Sequence, residues 1–239
     1  MESSSINIAA VICAAGSSSR MGAGGKKEFQ ELSPGVTVLG AAVSAFLKTQ
    51  LVEIIIIVIT EGTEAQTRAA LPLEFLELLN SKIFLVNGGK TRRASVFNAL
   101  SFLEKFNPCY VLIHDGARPR VNPSLIADVI KAVQKYNAVI PVLPFLDTPK
   151  EYNVPLNEKE DVFITRHLKR VNTGAAQAPQ GFKFCDIFSA HKKAAETDEE
   201  FTDDAEIYGR FCGKVAVIPG LPENKKITFP EDLGKNFFL

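Results

Sequence analysis

Five basic side chains and one carboxylate occupy positions that suit phosphate chemistry: Arg20, Lys27, Arg92, Arg118 and Lys226, with Asp115. They fall in four stretches, 14–27, 88–95, 114–119 and 224–228, and each stretch follows an apolar run that reads as a strand. If those strands share a parallel sheet, their carboxyl ends lie along one edge and the loops converge there. A basic pocket with one acid suits two phosphorylated substrates and a divalent ion. Phosphoryl and nucleotidyl transfers ask for little more, because positioning and charge neutralisation supply most of the rate.

The first stretch is the most distinctive. Ala14-Ala15-Gly16-Ser17-Ser18-Ser19 leaves the backbone almost bare before Arg20, Met21 and Lys27. Such a backbone approaches a ligand closely, and consecutive N–H groups in a turn form an anion-binding concavity. The Gly-x-x-x-x-Gly-Lys-Ser/Thr pattern is absent, since Gly25 and Lys26 lead into Lys27, and Gly-x-Gly-x-x-Gly is absent too. On composition alone, a flexible Ser/Gly surface loop is the competing reading.

The elements that must position these groups follow from hydropathy. Ile8 to Cys13 and the β-branched run Ile54 to Ile59 read as strands buried on both faces of a parallel sheet. Between them Leu39, Val43, Phe46 and Leu47 share one face of a helix over 38–48, which completes a βαβ unit. A helix over 63–71 and a strand over 82–86 form a second unit, followed by a helix through Val96, Leu100 and Leu103. The strand Tyr110 to Ile113 leads into His114-Asp115-Gly116-Ala117-Arg118-Pro119, and Asn122 with Pro123 opens the next helix. A strand over 138–143 and another over 214–218 extend the sheet, and helices run over 185–195 and, capped by Thr202, through Ile207 and Phe211. The fold class is α/β, a Rossmann-like, mostly parallel sheet flanked by helices. Residues 144–172, with three prolines and one short alternating run at 162–164, read as an extended β-arm reaching a neighbouring subunit, or as a plain surface hairpin. Nothing marks a second domain, so residues 1–239 read as one.

Composition narrows the partners. Lysine plus arginine equals aspartate plus glutamate at 27 each, so no net field argues for nucleic acid or a membrane surface. The longest apolar run is far below a membrane span, and the N-terminal run is too short for a signal peptide. Cys13, Cys109, Cys185 and Cys212 lack metal-like spacing, and Cys13 and Cys109 read as core thiols of a cytoplasmic protein. His114, His167 and His191 are spread out and no Ser-His-Asp order stands out, which leaves hydrolase chemistry with weak support. Asp203-Asp204 reads as a solvated helix start rather than a metal pair, because acids favour first turns. His114 reads as a packing residue beside the site.

Taken together, several motifs point to one family. Ala14-Ala15-Gly16 with Arg20-Met21, Gly88-Gly89 with Arg92 and Ser95, His114 to Pro119, Asp147-Thr148, Thr202-Asp203-Asp204 and Lys226-Ile227-Thr228 resemble the 2-C-methyl-D-erythritol 4-phosphate cytidylyltransferase family of sugar-phosphate nucleotidyltransferases. The resemblance implies a nucleotidyltransferase fold, with a substrate phosphate attacking the α-phosphorus of CTP and Mg2+ assisting pyrophosphate release. It implies that Ala14, Ala15, Gly16, Gly89 and Ser95 bind CTP, and that Arg20, Lys27 and Lys226 are catalytic. Asp115, Arg118 and Thr202 would face the sugar phosphate, with Asp115 also offered to the metal. The arm would cross to the partner of a homodimer, carrying Thr148 and Arg170 to the sugar-phosphate site. Lys26, Glu28, Lys90 and Ala178 stand where the family usually has other residues. A ribitol-5-phosphate cytidylyltransferase shares the same motifs, and a nucleotide-binding protein without turnover is the reading from a different class.

Overall fold

The computed structural model describes residues 8–18, 21, 25–154 and 161–233. In chain order come β1 (Ile8–Cys13), a small hairpin of β2 (Glu31–Ser33) and β3 (Val36–Thr37), α1 (Val38–Lys48) and β4 (Ile54–Ile59). Then follow α2 (Glu64–Ala69), α3 (Leu73–Leu76), β5 (Ile83–Asn87), α4 (Arg92–Leu103), β6 (Tyr110–Asp115), α5 (Pro123–Tyr136) and β7 (Ala138–Pro144). The remainder comprises β8 (Lys150–Tyr152), β9 (Ile164–His167), β10 (Gly174–Ala176), β11 (Gln180–Lys183), α6 (Phe184–Ala195), α7 (Asp204–Phe211) and β12 (Ala216–Pro219).

β1 lies at the centre because both of its faces are apolar. Ile8, Ala10 and Ile12 pack with Leu39, Val43 and Phe46 of α1 and with Leu125 and Val129 of α5. Ala9 and Val11 point the other way, into a cluster with Val96 and Leu100 of α4 and Ile187 of α6. Successive side chains of a strand alternate between faces, so only an unbroken apolar run satisfies helices on both sides. β4 and β6 flank β1 in parallel, and β5 extends the sheet beyond β4. β11 pairs antiparallel with both β6 and β7, while β12 joins β7 in parallel and β10 joins it antiparallel.

The strand register brings the loops together. Cys13 stands opposite Val58 on one side and Asp115 on the other, and Val58 stands opposite Val86. Four parallel strands therefore end within a residue or two of one another. The loops after β1, β4, β5 and β6 start from a common edge, which is where open α/β sheets bind ligands. Side-chain caps set the helix entries at that edge. Thr91 accepts from the Ala94 N–H at 3.1 Å to start α4, and Asn122 accepts from Leu125 at 2.8 Å to start α5, with Pro123 next.

Several expectations need correction. The helix predicted over 63–71 is shorter, Glu64–Ala69, and the strand predicted over 214–218 is Ala216–Pro219. Asp203, not Thr202, caps α7, its carboxylate accepting from Glu206 N at 2.9 Å. Thr202 instead donates its N–H and hydroxyl to the Glu206 carboxylate, one residue ahead of the Asp203 N–H that a capping box would use. Asp204 is not part of a solvated helix start: it is fully buried. Cys109 is exposed rather than in the core. It precedes β6, where its apolar neighbours turn inward and it does not.

Within 144–172, β8 and β9 pair only with each other among the described residues, forming a hairpin separate from the main sheet. Leu146, Val154, Phe163 and Val171 are exposed there, Val171 to 93%. No helix of the described residues is long and apolar enough to cross a membrane.

Candidate active site

The shared strand edge opens into a pocket of about 500 Å³. Ala15, Gly16, Lys27, Gly89, Ser95, Asp115 and Lys226, all singled out from the sequence, line it. Ala14 is buried just behind it. Arg118 reaches the same cluster through Asp115. Thr148, Arg170 and Thr202 do not line it; all three are exposed, and the Arg170 guanidinium donates to the Leu146 carbonyl within the arm. Arg20 lies outside the described residues.

The small residues of the first loop earn their place by what they leave open. Ala14 gives its N–H to the Val58 carbonyl at 2.8 Å, so the loop leaves β1 along β4. Ser18 adopts φ 51°, and its hydroxyl donates to Glu28 at 3.2 Å while accepting from Lys27 N at 3.3 Å. That bridge ties the loop to the short helical turn at Lys27–Phe29. Burial pushes the Glu28 carboxyl up from its ordinary value, and the hydrogen bond from Ser18 and the charges of Lys27 and Lys26 offset part of it. The Lys27 ammonium is buried and donates to the Ile227 carbonyl at 3.1 Å, two hundred residues away. Ile227 in turn donates its N–H to the Ala117 carbonyl at 2.8 Å. The first loop, the β6 loop and the C-terminal motif are thus stitched into one wall.

The opposite wall depends on close approach. A Cβ on Gly88 would sit 2.7 Å from the Ala15 Cβ and 2.8 Å from the Ser95 hydroxyl, and one on Gly89 would meet Ala94 at 2.5 Å. Only glycine lets these loops touch. Ser95 is buried and serves the loop: its hydroxyl accepts from Gly89 N at 3.0 Å and donates to the Thr91 carbonyl at 2.9 Å.

Charge concentrates around Asp115. Its Oδ2 meets Arg118 Nε at 3.0 Å and Lys226 Nζ at 3.2 Å, and its Oδ1 faces Arg92 Nε at 4.0 Å. Burial pushes the Asp115 carboxyl up, but Lys226, Arg92 and Arg118 together overcome this and hold it far below the usual carboxylate range. Arg118 also donates to the Asn224 carbonyl at 2.8 Å, and fully buried Asn224 donates to the Ala178 carbonyl at 2.6 Å. With three cations on one carboxylate, the cluster carries surplus positive charge, and an anion belongs beside it.

The same geometry bears on a divalent ion. No cluster of three or more His, Cys, Asp or Glu exists among the described residues. Asp115 already shares its charge with three cations and is a poor direct ligand for a fourth. Mg2+ tolerates few protein ligands when substrate phosphates supply the rest. The residues present therefore fit an ion carried on nucleotide phosphates, not one held in a protein cage.

Two features escaped the reading of the sequence. Thr60, just past β4, accepts from the Lys26 ammonium and donates to the Ala15 carbonyl, which places both side chains on the pocket wall. Burial lowers the Lys26 pKa. The position of Thr60 at the end of a central strand was a usable signal. Asp204 forms a buried chain, accepting from Arg92 Nη2 at 2.7 Å and from His191 Nε2 at 3.1 Å. Burial pushes the Asp204 carboxyl up, yet Arg92 and His191 bring it down to about 2. No local signal joins residues 92, 191 and 204, because only the packing of α4, α6 and α7 brings them together.

A mostly parallel sheet ending in a bare loop, paired lysines from opposite ends of the chain and a caged aspartate define an α/β protein of the nucleotidyltransferase class. Comparison with known proteins is specific about which one. The chain belongs to the IspD family, 2-C-methyl-D-erythritol 4-phosphate cytidylyltransferase, which matches residues 8–239. It is 37% identical over 231 residues to the bifunctional enzyme IspD/IspF of Bartonella tribocorum, covering 95% of this chain and 55% of that one. It is 34% identical over 223 residues to the 2-C-methyl-D-erythritol 4-phosphate cytidylyltransferase of Bacillus mycoides, covering 93% of each. The chain thus spans about half the length of the bifunctional relative and nearly all of the Bacillus protein. The crystal structure of 4-diphosphocytidyl-2C-methyl-D-erythritol synthase from Anaerococcus prevotii superposes with a TM-score of 0.78 at 28% identity, over 95% of this chain and 92% of that one.

Proposed function

We propose that this chain joins CTP to 2-C-methyl-D-erythritol 4-phosphate, giving 4-diphosphocytidyl-2-C-methyl-D-erythritol and pyrophosphate. The observation that carries the reading is the Asp115 cage, with Lys226, Arg118 and Arg92 around one carboxylate, facing a bare loop that ends in buried Lys27. A binder of one nucleotide has no use for two cationic walls. A transferase needs both, one for the triphosphate and one for the incoming phosphate.

In this reading the backbone of Ala15, Gly16 and Gly89 holds the nucleotide, and the close approach at Gly88 and Gly89 brings the two loops together around it. A phosphate oxygen of the acceptor attacks the α-phosphorus, and pyrophosphate leaves. Negative charge grows on the pentacoordinate phosphorus, and Lys27 and Lys226 neutralise it; Arg20 joins them by family resemblance. Because Lys27 is already tethered to Ile227 and Lys226 to Asp115, little reorganisation is required when charge develops. When bound on the nucleotide phosphates, Mg2+ would supply charge neutralisation to the leaving pyrophosphate, a place that the residues of this site leave to phosphate oxygens.

The arm supports a homodimer as the working form. An exposed apolar hairpin that pairs with no other strand among the described residues is the kind of surface a second copy covers. Thr148 and Arg170 flank that hairpin, outside this chain's own pocket, so their role in acceptor binding belongs to the partner's site.

The test is pyrophosphate release by purified protein with CTP and Mg2+, comparing methylerythritol 4-phosphate with ribitol 5-phosphate. Turnover with the first alone is expected. Turnover with ribitol phosphate alone would keep the chemistry and replace the acceptor, and CTP binding without turnover on either would overturn the assignment.

A further inference from the structure

Arg92 and Asp115 face each other across a gap that neither closes. The 4.0 Å between Arg92 Nε and Asp115 Oδ1 exceeds the roughly 2.7–3.2 Å of a direct hydrogen bond. Oδ2 is occupied by Arg118 and Lys226, whereas Oδ1 accepts no hydrogen bond among the described residues. Both groups line the pocket. An unconstrained guanidinium would close on so near a carboxylate. Arg92 is held back because its Nη2 is committed to Asp204 at 2.7 Å, and Asp204, fully buried, is held from behind by His191 at 3.1 Å.

A fixed donor and a fixed acceptor separated by that distance are complementary to a group that both accepts and donates. A hydroxyl does this, and a phosphate oxygen or a base carbonyl does not. An oxygen about 2.9 Å from the nitrogen and about 2.7 Å from the carboxylate would subtend roughly 90°, within the range one hydroxyl bridges.

We propose that Arg92 Nε and Asp115 Oδ1 clamp one hydroxyl of the acceptor polyol phosphate, and that Asp204 with His191 sets the width of the clamp. The inference rests on the polyol-phosphate reading of this site, in which family resemblance already turns Asp115 toward the acceptor, and adds Arg92 as the second partner of that hydroxyl, with Asp204 and His191 fixing its distance. Arg92 and Asp115 touch the substrate; Asp204 and His191 are positioning residues. A site built this way rejects an acceptor lacking the hydroxyl, because two charged groups are then left facing each other unsatisfied.

The experiment measures kcat/KM for pyrophosphate release at saturating CTP, using methylerythritol 4-phosphate and analogues that each lack one hydroxyl. In the wild type, one analogue should lose about 10- to 100-fold, the range for hydrogen bonds to charged groups. In Arg92→Lys, which keeps the charge but loses the planar fork, that analogue's extra penalty should shrink below about threefold while the other analogues keep theirs. The acceptor KM should rise and the CTP KM should stay. Asp204→Asn should reproduce the pattern by releasing Arg92 onto Asp115, and because removing a buried charge can unfold a protein, Arg92→Lys at a half-exposed position carries the test alone if needed. Full and independent penalties in Arg92→Lys, or a rise confined to the CTP KM, would overturn the clamp while leaving the function in place. A wild type that turns over no polyol phosphate would remove the functional reading and the clamp with it.

Discussion

His114 offers a quantitative test of the architecture beneath the site. Its ring is fully buried against Phe46, with ring centroids 5.1 Å apart. Its Nε2–H donates to the Arg118 carbonyl at 3.2 Å, and its Nδ1 has no hydrogen-bond partner among the described residues. A second proton would create a buried cation with nothing to accept it. Burial pushes the His114 pKa down to about 4, with Asp115 pulling the other way. The unfolded chain takes up the same proton near 6.5. Between those values the unfolded state binds more protons than the folded one, so stability falls as the pH drops from about 6.5 toward 4. The full difference is about 3 kcal/mol, of which about 2 kcal/mol is lost by pH 5. His114→Gln keeps an N–H donor for the Arg118 carbonyl and cannot take the proton. Urea unfolding at pH 7.5 and pH 5 should show the wild type losing about 2 kcal/mol more than the variant, since groups that titrate in both proteins cancel. Equal losses, or a wild type that gains relative to the variant on acidification, would refute the reasoning.

Other predictions follow from the packing and charge of the site. Gly88→Ala places a methyl group 2.7 Å from Ala15 and 2.8 Å from Ser95, so it should raise the CTP KM at least tenfold and cost about 1–3 kcal/mol in thermal or urea unfolding. Lys27→Ala should lower kcat about 10²- to 10³-fold with a smaller change in CTP affinity measured by calorimetry; equal losses in both would make Lys27 a binding residue only. Phe163→Asp or Val171→Asp on the arm should yield monomers in sedimentation and raise the acceptor KM without moving the CTP KM; an unchanged oligomeric state would remove the arm from the interface.

Much of this protein was legible from local pattern. Runs such as Ile54–Ile59 are unbroken because both faces of the strand are covered; α1 and α4 were found by spacing, α5 by spacing and its Asn122–Pro123 entry, and the helix expected over 185–195 is α6. The four loops of the site were also legible, because each follows a strand and a parallel sheet sends strand ends to one edge. The misreadings came where a local rule competes with packing. Asp204 obeys the first-turn preference for acids, yet it is buried, because α7 lays it against Arg92 of α4 and His191 of α6. Thr202 lost the cap to Asp203 by one residue, a difference in backbone geometry that composition does not encode.

Residue types and their order determined, without coordinates, that the chain forms an open α/β sheet with a cationic edge of the kind that suits phosphorylated substrates. Those properties depend on periodicity and on the chemistry of single residues, both of which are local. Distances between residues far apart in the chain required the folded molecule. The tether from Lys27 to Ile227, the triple cage on Asp115 and the 4.0 Å gap held open by Asp204 join segments separated by as many as two hundred residues. Each is set by strand register and helix packing, where a shift of one ångström turns an occupied ion pair into a binding site.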